Sequence, residues 1–181
     1  MLLTFGFSFT DYFALNPKLT HFVWLENFSA IFKDDLFTTA FGNTVKFVLI
    51  IVPLQTLGAL GLALLINRVT VCKRYFKVAF FIPVVMSLAV VSNLWMQIYS
   101  PEGILNTILS NFGVEPQPFI YGASQALPSI AFMSVWQGVG YQMIIFLGGL
   151  QAINPALYEA AEMDHASSWS RFKDITLPEL K

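Results

Sequence analysis

The stretch that decides the fold is residues 45–66, which reads VKFVLIIVPLQTLGALGLALLI. Its only residues that lipid disfavours are Lys46, Pro53 and Gln55. A helix needs about 20 predominantly apolar residues, at about 1.5 Å of rise per residue, to cross the hydrocarbon core of a bilayer. Each Leu, Ile, Phe or Val contributes roughly −0.3 to −0.6 kcal/mol, so about a dozen of them offset one or two polar amides. The stretch therefore predicts a transmembrane helix.

Two more stretches of similar length and character, 78–99 and 127–153, predict two further spans. The chain is 56% hydrophobic and 15% aromatic, and its 12% of charged residues compares with about 25% in an average soluble domain. These features predict an all-α fold, a polytopic bundle of transmembrane helices. Three prolines within or at the start of the spans are expected to kink or start helices: Pro53, Pro83 and Pro128. Gly148 together with Ala152 is expected to permit close helix packing.

The charges between the predicted spans give the orientation. Four basic residues crowd one short loop that contains no acid: Arg68, Lys73, Arg74 and Lys77. The next loop, 100–126, has no Lys or Arg and two acids, and basic residues return after the third span at Arg171, Lys173 and Lys181. The positive-inside rule places the first loop and the tail in the cytoplasm and 100–126 outside.

Composition also excludes some partners and chemistries. The net charge of −1 and the absence of a basic run give no attraction to nucleic acid. Cys72 is the only cysteine, so neither an intramolecular disulfide nor a multi-thiolate metal site can form.

Shorter helices are expected on the outer side. Residues 1–15 are rich in Phe but too short to span, and are interpreted as the exit half of a helix whose start is missing. Asn27 is a candidate N-cap of one short helix, and Asp34 or Asp35 of another. Residues 103–112 carry an apolar stripe that predicts a short interfacial helix.

The last quarter of the chain, residues 154–178, reads NPALYEAAEMDHASSWSRFKDITLP and predicts a polar helix–turn–helix. Asn154 is expected to cap the first helix and Pro155 to occupy its first position. Ser167 or Ser168 is expected to cap the second helix, which Pro178 would end. Three residues of that second helix form an i, i+3, i+6 stripe: Trp169, Phe172 and Ile175. A polar segment that directly follows a long apolar helix is typical of a surface that binds another protein.

This segment resembles the EAA loop of ATP-binding-cassette importer permeases. The family motif has Glu-Ala-Ala, a Gly after three residues, and Ile-x-Leu-Pro after nine more. Residues at the corresponding positions are Glu159, Ala160, Ala161, Asp164, Ala166, Phe172, Ile175, Leu177 and Pro178. His165 stands where the family has the Gly. If that Gly takes a positive φ, His is a strained but tolerable substitute.

The resemblance extends over nearly the whole chain. Residues 22–28, FVWLENF, are similar to the family pattern Phe-Val-Gly-Leu-Asp-Asn-Phe, with Trp24 again replacing a Gly. The chain resembles the maltose-transport-F and glycerol-3-phosphate-transport-A type, whose core has six spans. Residues 1–181 are accordingly interpreted as a partial permease domain that lacks part of the first span and the last two.

The resemblance implies an integral-membrane permease subunit of an importer in a bacterial inner membrane. It would form half of the translocation path for a sugar or glycerol-phosphate-like solute. The implied partners are a second permease subunit, an ATPase dimer, a periplasmic or lipid-anchored solute-binding protein and membrane lipid. Residues 154–178 would couple to the ATPase, with Glu159, Ala160 and Ala161 in contact with it and Asp164 supporting the turn. Four residues would anchor the segment to its own membrane helices: Trp169, Phe172, Ile175 and Pro178. The chain lacks a Gly-rich phosphate loop, so ATP and magnesium are expected on the partner, with no cofactor, metal or catalytic residue here.

Polar residues inside the spans are candidates for the substrate path, because burying them in lipid is costly. Asn93 and Gln97 lie one helical turn apart, as do Gln137 and Tyr141. Trp95 or Trp136 could offer a stacking face to a sugar ring. The alternative is that the polar residues form hydrogen bonds between helices.

Two other classes of protein are alternatives to a permease: a metal enzyme, and a passive channel or anchor subunit. Glu162 and His165 match the Glu-x-x-His of di-iron bundles, but that site needs a second copy, and the other histidine, His21, is predicted on the opposite side. A passive channel or an anchor subunit with a docking tail is the main alternative to a permease. A channel would leak solute without an ATPase, whereas half of a permease would not.

Overall fold

The computed structural model describes residues 1–13, 20–69 and 71–180, with side chains for all of these except Leu2. The chain divides into two compact units, Met1–Val48 and Leu49–Lys181. The all-α prediction is confirmed: in the described ranges every regular element is helical, beside one isolated bridge between Thr10 and Phe22. The helices are α1 Leu2–Phe7, α2 Glu26–Lys33, α3 Asp35–Arg68, α4 Lys73–Val85, α5 Leu88–Ile98, α6 Ile104–Asn111, α7 Ala126–Ala152, α8 Pro155–Met163, α9 Ser168–Arg171 and α10 Leu177–Glu179. A short 3₁₀ turn, Phe119–Tyr121, precedes α7, and a π-helix, Phe172–Thr176, joins α9 to α10.

The first unit corrects two predictions. The helix predicted over 1–15 ends at Phe7, and its last two residues, 14 and 15, lie outside the described ranges. Asn27 does not cap α2, which begins one residue earlier with Leu25 at the N-cap. The Asn27 amide instead donates hydrogen bonds to the carbonyls of Ser8 and Thr10, at 3.0 and 2.9 Å. The Asn27 side chain therefore makes a tertiary contact rather than a helix cap, because two carbonyls that are distant in sequence lie within hydrogen-bonding distance of it.

The long helix α3 contains the first predicted span and starts ten residues before it. Asp34 caps its start, since Asp34 Oδ1 accepts a hydrogen bond from the backbone N–H of Leu36 at 2.7 Å. Within α3, Leu49 and Leu57 are each 67% exposed, which suits a helix surrounded by lipid. In the described ranges α3 and α7 are long and apolar enough to cross a membrane, and a bent pair of helices, α4 and α5, could supply a third span.

The second predicted span, 78–99, is not one continuous helix. It is broken between α4 and α5, whose axes differ by 98°. At the break Met86 and Ser87 are extended, with ψ of 142° and 144°, and the Ser87 hydroxyl caps α5 by accepting from the N–H of Val90. Gln137 of α7 donates to the carbonyl of Met86 at 3.5 Å, so one polar group freed by the break has a partner.

Helices α4 and α7 pack closely in the second unit, and glycine makes this contact possible. A Cβ atom at Gly140 would lie 1.9 Å from the carbonyl oxygen of Phe80, so no larger residue fits there without movement. The prediction of close packing at Gly148 is wrong, because within the described ranges nothing lies within 4 Å of a Cβ built there. The main core joins α3 and α7 through Ala59, Ala63, Met143 and Leu147.

The connection between α5 and α7 is ordered by one buried side-chain amide. Asn106 of α6 is 2% exposed. Its Nδ2 donates to the carbonyls of Ser100 and Gln117, at 3.1 and 3.0 Å, and its Oδ1 accepts from the Gln117 N–H at 2.7 Å. The predicted interfacial helix is present as α6.

Candidate functional site

The first helix of segment 154–178, which we call the EAA segment, starts as its sequence predicts. Asn154 is the N-cap of α8, and its Oδ1 accepts from the N–H of Ala156 at 3.0 Å. Pro155 occupies the first helical position, where its missing N–H costs no hydrogen bond. A cap and a proline at the start fix where α8 leaves the end of α7, and therefore where its exposed face lies.

The end of α8 explains why the corresponding family position holds a glycine. The N–H of His165 donates to the carbonyl of Glu162 at 3.0 Å, and that of Ala166 to Ala161 at 2.9 Å. These two bonds define a Schellman cap, which requires a left-handed residue at the position that His165 occupies. His165 has a φ of 53°, as the family pattern predicts for that position. Asp164 contributes its backbone N–H to this turn, bonded to the carbonyls of Ala160 and Glu162.

The second helix begins as predicted but continues differently. The Ser167 hydroxyl caps α9 by accepting from the N–H of Ser170 at 3.1 Å. The backbone then widens into the π-helix before α10. Pro178 does not end the helix, because it lies in the first turn of α10, where proline is tolerated, and α10 runs on to Glu179.

Two hydroxyls tie the two halves of the EAA segment together. Tyr158 Oη and Thr176 Oγ1 are 2.8 Å apart, and Thr176 is 5% exposed. Thr176 Oγ1 also donates to the Arg171 carbonyl at 3.3 Å. The bond between the hydroxyls crosses from α8 to the π-helix, so the two halves are held in a fixed relation. Neither hydroxyl was selected from the sequence, because a lone Tyr and Thr 18 residues apart form no recognisable motif.

The anchoring contacts differ in part from the expected set. Ile175 packs against the core formed by α3 and α7, as predicted, together with Tyr158 and Leu180. Trp169, in contrast, is 70% exposed and touches Phe172 ring to ring at 5.6 Å, and Pro178 is exposed. The expectation fails for Trp169 because the stripe assumed an α-helical period, whereas the backbone widens into the π-helix from Phe172. Pro178, which was not part of the stripe, is exposed in the first turn of α10.

The exposed face of α8 contains Glu159 and Ala160, which belong to the motif. It also exposes two apolar residues that the motif does not include: Leu157 is 41% and Met163 is 82% exposed. They lie three residues to either side of Ala160, so all three share one helical face. The sequence could have revealed this apolar face, because the spacing of Leu157, Ala160 and Met163 predicts that they lie on one side of a helix. Ala161, which the resemblance places in contact with the ATPase, is only half-exposed, unlike Glu159 and Ala160.

None of the candidate path residues lines any of the three cavities identified in the described part of the chain. Asn93 and Gln97 are exposed on α5, where Asn93 donates to the Ala89 carbonyl of its own helix at 3.0 Å. On α7, Tyr141 is 56% exposed, and Gln137 makes the hydrogen bond to Met86 described above. Gln137 thus fulfils the alternative interpretation, a hydrogen bond between helices.

The two path tryptophans differ. Trp95 is 7% exposed within a cluster of aromatic rings, so its stacking face is already covered by protein. Its indole Nε1 is buried and has no hydrogen-bond partner among the described residues. Trp136 is half-buried and lies 5.5 Å from Trp95, edge to face. Of the two, Trp136 retains accessible surface.

Such a bundle with an EAA segment defines a class of membrane transport protein, and residues 59–181 match the family of binding-protein-dependent transport system inner membrane components. The chain belongs to this family.

Curated relatives bear names of the same class. The chain is 35% identical over 179 residues to the probable ABC transporter permease protein YurN of Bacillus subtilis strain 168, covering 96% of this chain and 61% of YurN. It is 35% identical over 160 residues to the lactose transport system permease protein LacF of Rhizobium radiobacter, with 86% and 53% coverage. It is 32% identical over 160 residues to the sn-glycerol-3-phosphate transport system permease protein UgpA of Salmonella typhimurium strain LT2, with 88% and 54% coverage. The chain thus spans about 60% or less of the length of these relatives.

Solved structures agree. A chain of a bacterial ABC transporter involved in the import of the acidic polysaccharide alginate matches with a TM-score of 0.80 and 25% identity, over 99% of this chain and 61% of that one. A chain of a bacterial alginate ABC transporter in complex with an alginate-pentasaccharide-bound periplasmic protein matches with a TM-score of 0.76 and 27% identity, over 87% and 56%.

Proposed function

We propose that this chain is part of a permease subunit of an ATP-binding-cassette importer, and that its EAA segment couples the membrane helices to a separate ATPase on the cytoplasmic side. The observation that carries the proposal is the exposed face of α8. Glu159 and Ala160 stand out from a helix that is capped at both ends and fixed from behind by the bond between Tyr158 and Thr176.

This geometry suits the transmission of force. A helix tied to the core of α3 and α7 moves with those helices as a rigid body when a partner moves it. The small side chain of Ala160 lets a partner backbone approach, and Leu157 and Met163 offer apolar contact on both sides. ATP hydrolysis and its magnesium ion would belong to the partner.

The test is co-purification of the proposed ATPase partner with the full-length subunit from membranes. Glu159→Lys and Ala160→Trp are each expected to reduce the bound ATPase at least tenfold, since they place a reversed charge or a bulky ring in the contact. Glu179→Lys in α10 makes the same charge reversal on an exposed acid outside α8, and is expected to leave binding unchanged. Equal ATPase recovery in all the variants would show that α8 is not the docking helix.

The transported solute is proposed to be a sugar or a glycerol-phosphate-like compound. The names of LacF and UgpA, which refer to lactose and to sn-glycerol-3-phosphate, support this class. A second permease subunit and a periplasmic or lipid-anchored solute-binding protein would complete the importer. A matching solved complex that includes a periplasmic protein supports the latter.

The polar side chains on α5 and α7 are proposed to line the path of this solute in the assembled importer, with Trp136 as the stacking ring. The exposure of Asn93 and Tyr141 supports the proposal, since both leave polar groups for a ligand. Asn93→Leu is expected to raise the substrate KM several-fold in an uptake assay. Gln137→Leu would act through the break at Met86 and lower the maximal rate. Unchanged uptake in both variants would contradict a role in the path.

A further inference from the structure

A cavity of about 570 Å³ lies where α3 ends beside the EAA segment, within the second unit. Its size is typical of ligand pockets in proteins. Two of its lining side chains are arginines, Arg68 at the last position of α3 and Arg171 at the end of α9, and its lining contains no Asp or Glu. The residues that form the cavity therefore carry two positive charges and no negative one.

Among the described residues, neither the Arg68 nor the Arg171 guanidinium group makes a hydrogen bond or an ion pair. Arg171 is nevertheless half-buried, and a half-buried cation without a counter-ion is unfavourable unless a ligand supplies the charge. A guanidinium presents donors in a planar fork that matches the oxygens of a phosphate or carboxylate.

The rest of the wall is apolar and aromatic. Leu64 lies one turn before Arg68 on the same face of α3, and Trp169 and Phe172 stand beside Arg171. Tyr158 adds a hydroxyl that is already bonded to Thr176. A ligand for this cavity is therefore expected to carry a negatively charged group at one end and a hydrophobic group at the other.

The position of the cavity selects among such ligands. Arg68 ends α3, a helix long and apolar enough to cross a membrane, so the cavity lies where a candidate span leaves the hydrocarbon. Trp and Tyr concentrate at that depth, and basic pockets between transmembrane helices bind anionic headgroups. We propose that this cavity binds the phosphate group of an anionic phospholipid, with Arg68 and Arg171 on its oxygens and the acyl chains toward Leu64.

Such a site would connect the lipid composition of the membrane to the EAA segment. The Arg171 carbonyl accepts the hydrogen bond of Thr176, whose hydroxyl in turn meets Tyr158 of α8. A bound headgroup would fix the end of α9 and thereby the π-helix behind α8. This inference uses the membrane location of the chain and does not depend on ATPase docking.

The test is calorimetric titration of the full-length complex with dihexanoylphosphatidylglycerol, against dihexanoylphosphatidylcholine as the net-neutral lipid. The glycerol lipid is expected to bind at least tenfold more tightly. Arg68→Gln and Arg171→Gln are each expected to weaken it about tenfold, since a hydrogen bond to a charged group contributes about one decade or more of affinity. Arg171→Lys keeps the charge and should retain most of the preference.

Lys173→Gln is the matched control. It removes one positive charge two residues from Arg171, at an exposed position outside the cavity lining, and should leave binding unchanged. An equal loss in Lys173→Gln and Arg171→Gln would overturn the site in favour of general surface attraction. Equal binding of the two lipids would also overturn it.

Two further arms separate the sources of the anion. If inorganic phosphate displaces dihexanoylphosphatidylglycerol when both are present at equal concentration, the ligand of the cavity is a soluble phosphate. That result would contradict the lipid assignment. Arginine variants that lose the ATPase and keep the lipid would assign the cavity to an acidic side chain of a protein partner. Lipid binding that is lost while the ATPase is retained supports the proposal and leaves the docking helix unaffected.

Discussion

At the scale of single residues, backbone conformation was more predictable than side-chain partners. Comparison with the family pattern marked His165 and Trp24 as replacing glycines, and both have a positive φ, 53° and 50°. The family pattern could reveal these positive φ values because a backbone conformation that favours glycine belongs to a single position in the sequence. Asn27 was assigned wrongly, since its partners Ser8 and Thr10 are brought near by tertiary structure and no local pattern encodes them.

The strain at His165 gives a residue-scale prediction. A non-glycine residue in the left-handed region costs about 1–2 kcal/mol, whereas glycine loses about 0.5–1 kcal/mol of backbone entropy. His165→Gly is therefore expected to stabilise the EAA segment by up to about 1 kcal/mol, net of these terms. The measurement is the thermal unfolding midpoint of the purified full-length subunit, which should rise.

Ala166→Gly is the control for this change. Ala166 follows His165 without a positive φ, so glycine there brings only its entropic cost and should lower the midpoint. A midpoint that falls for His165→Gly as much as for Ala166→Gly would contradict the strain.

At the scale of elements, composition predicted which stretches are helical but not how they bend. Hydropathy over 78–99 is satisfied equally by a straight helix and by two helices at 98°. The direction is decided by Met86 and Ser87, whose extended backbone is completed by Gln137 from another helix. For a related reason, the π-helix was not predicted. The stripe of Trp169, Phe172 and Ile175 was inferred for an α-helix, and from Phe172 the backbone does not follow an α-helical path.

The contact between α4 and α7 gives an element-scale prediction. Gly140→Ala places a methyl group against the Phe80 carbonyl, and overpacking of this kind typically costs about 1–3 kcal/mol. The expected result is a lower thermal midpoint and a lower yield of folded subunit from membranes.

Gly148→Ala is the matched control on the same helix. In the described ranges nothing lies within 4 Å of its new methyl group, and alanine is the better helix former. It should leave the midpoint unchanged or raise it. Equal effects of the two substitutions would contradict the close approach of α4 and α7.

At the scale of the whole molecule, hydropathy and the alternation of charged loops predict three spans and their sidedness. The described residues supply two helices that could span and a bent pair that could supply the third. Which side of the membrane each loop occupies follows from charge and remains a prediction. The solute is not predictable from these residues, because none of the candidate polar side chains on α5 and α7 lines any of the three cavities identified among the described residues.

The central claim is that α8 meets an ATPase on the cytoplasmic side. Cys72 is the only cysteine of residues 1–181. The background is the full-length subunit with Cys72 and every cysteine outside this range replaced by Ser, so that one new cysteine reports one position. In that background Ala160→Cys places a thiol on the exposed face of α8, and Glu115→Cys places one in the loop predicted to lie outside.

The measurement is crosslinking with a short thiol-to-amine reagent, added to membranes in which the full-length complex is already assembled, so that the docked helix carries only a cysteine in place of Ala160. The expected result is an adduct with the ATPase from Ala160→Cys and none from Glu115→Cys. Failure of Ala160→Cys to yield an ATPase adduct, or equal adducts from both positions, would contradict the coupling role of the EAA segment.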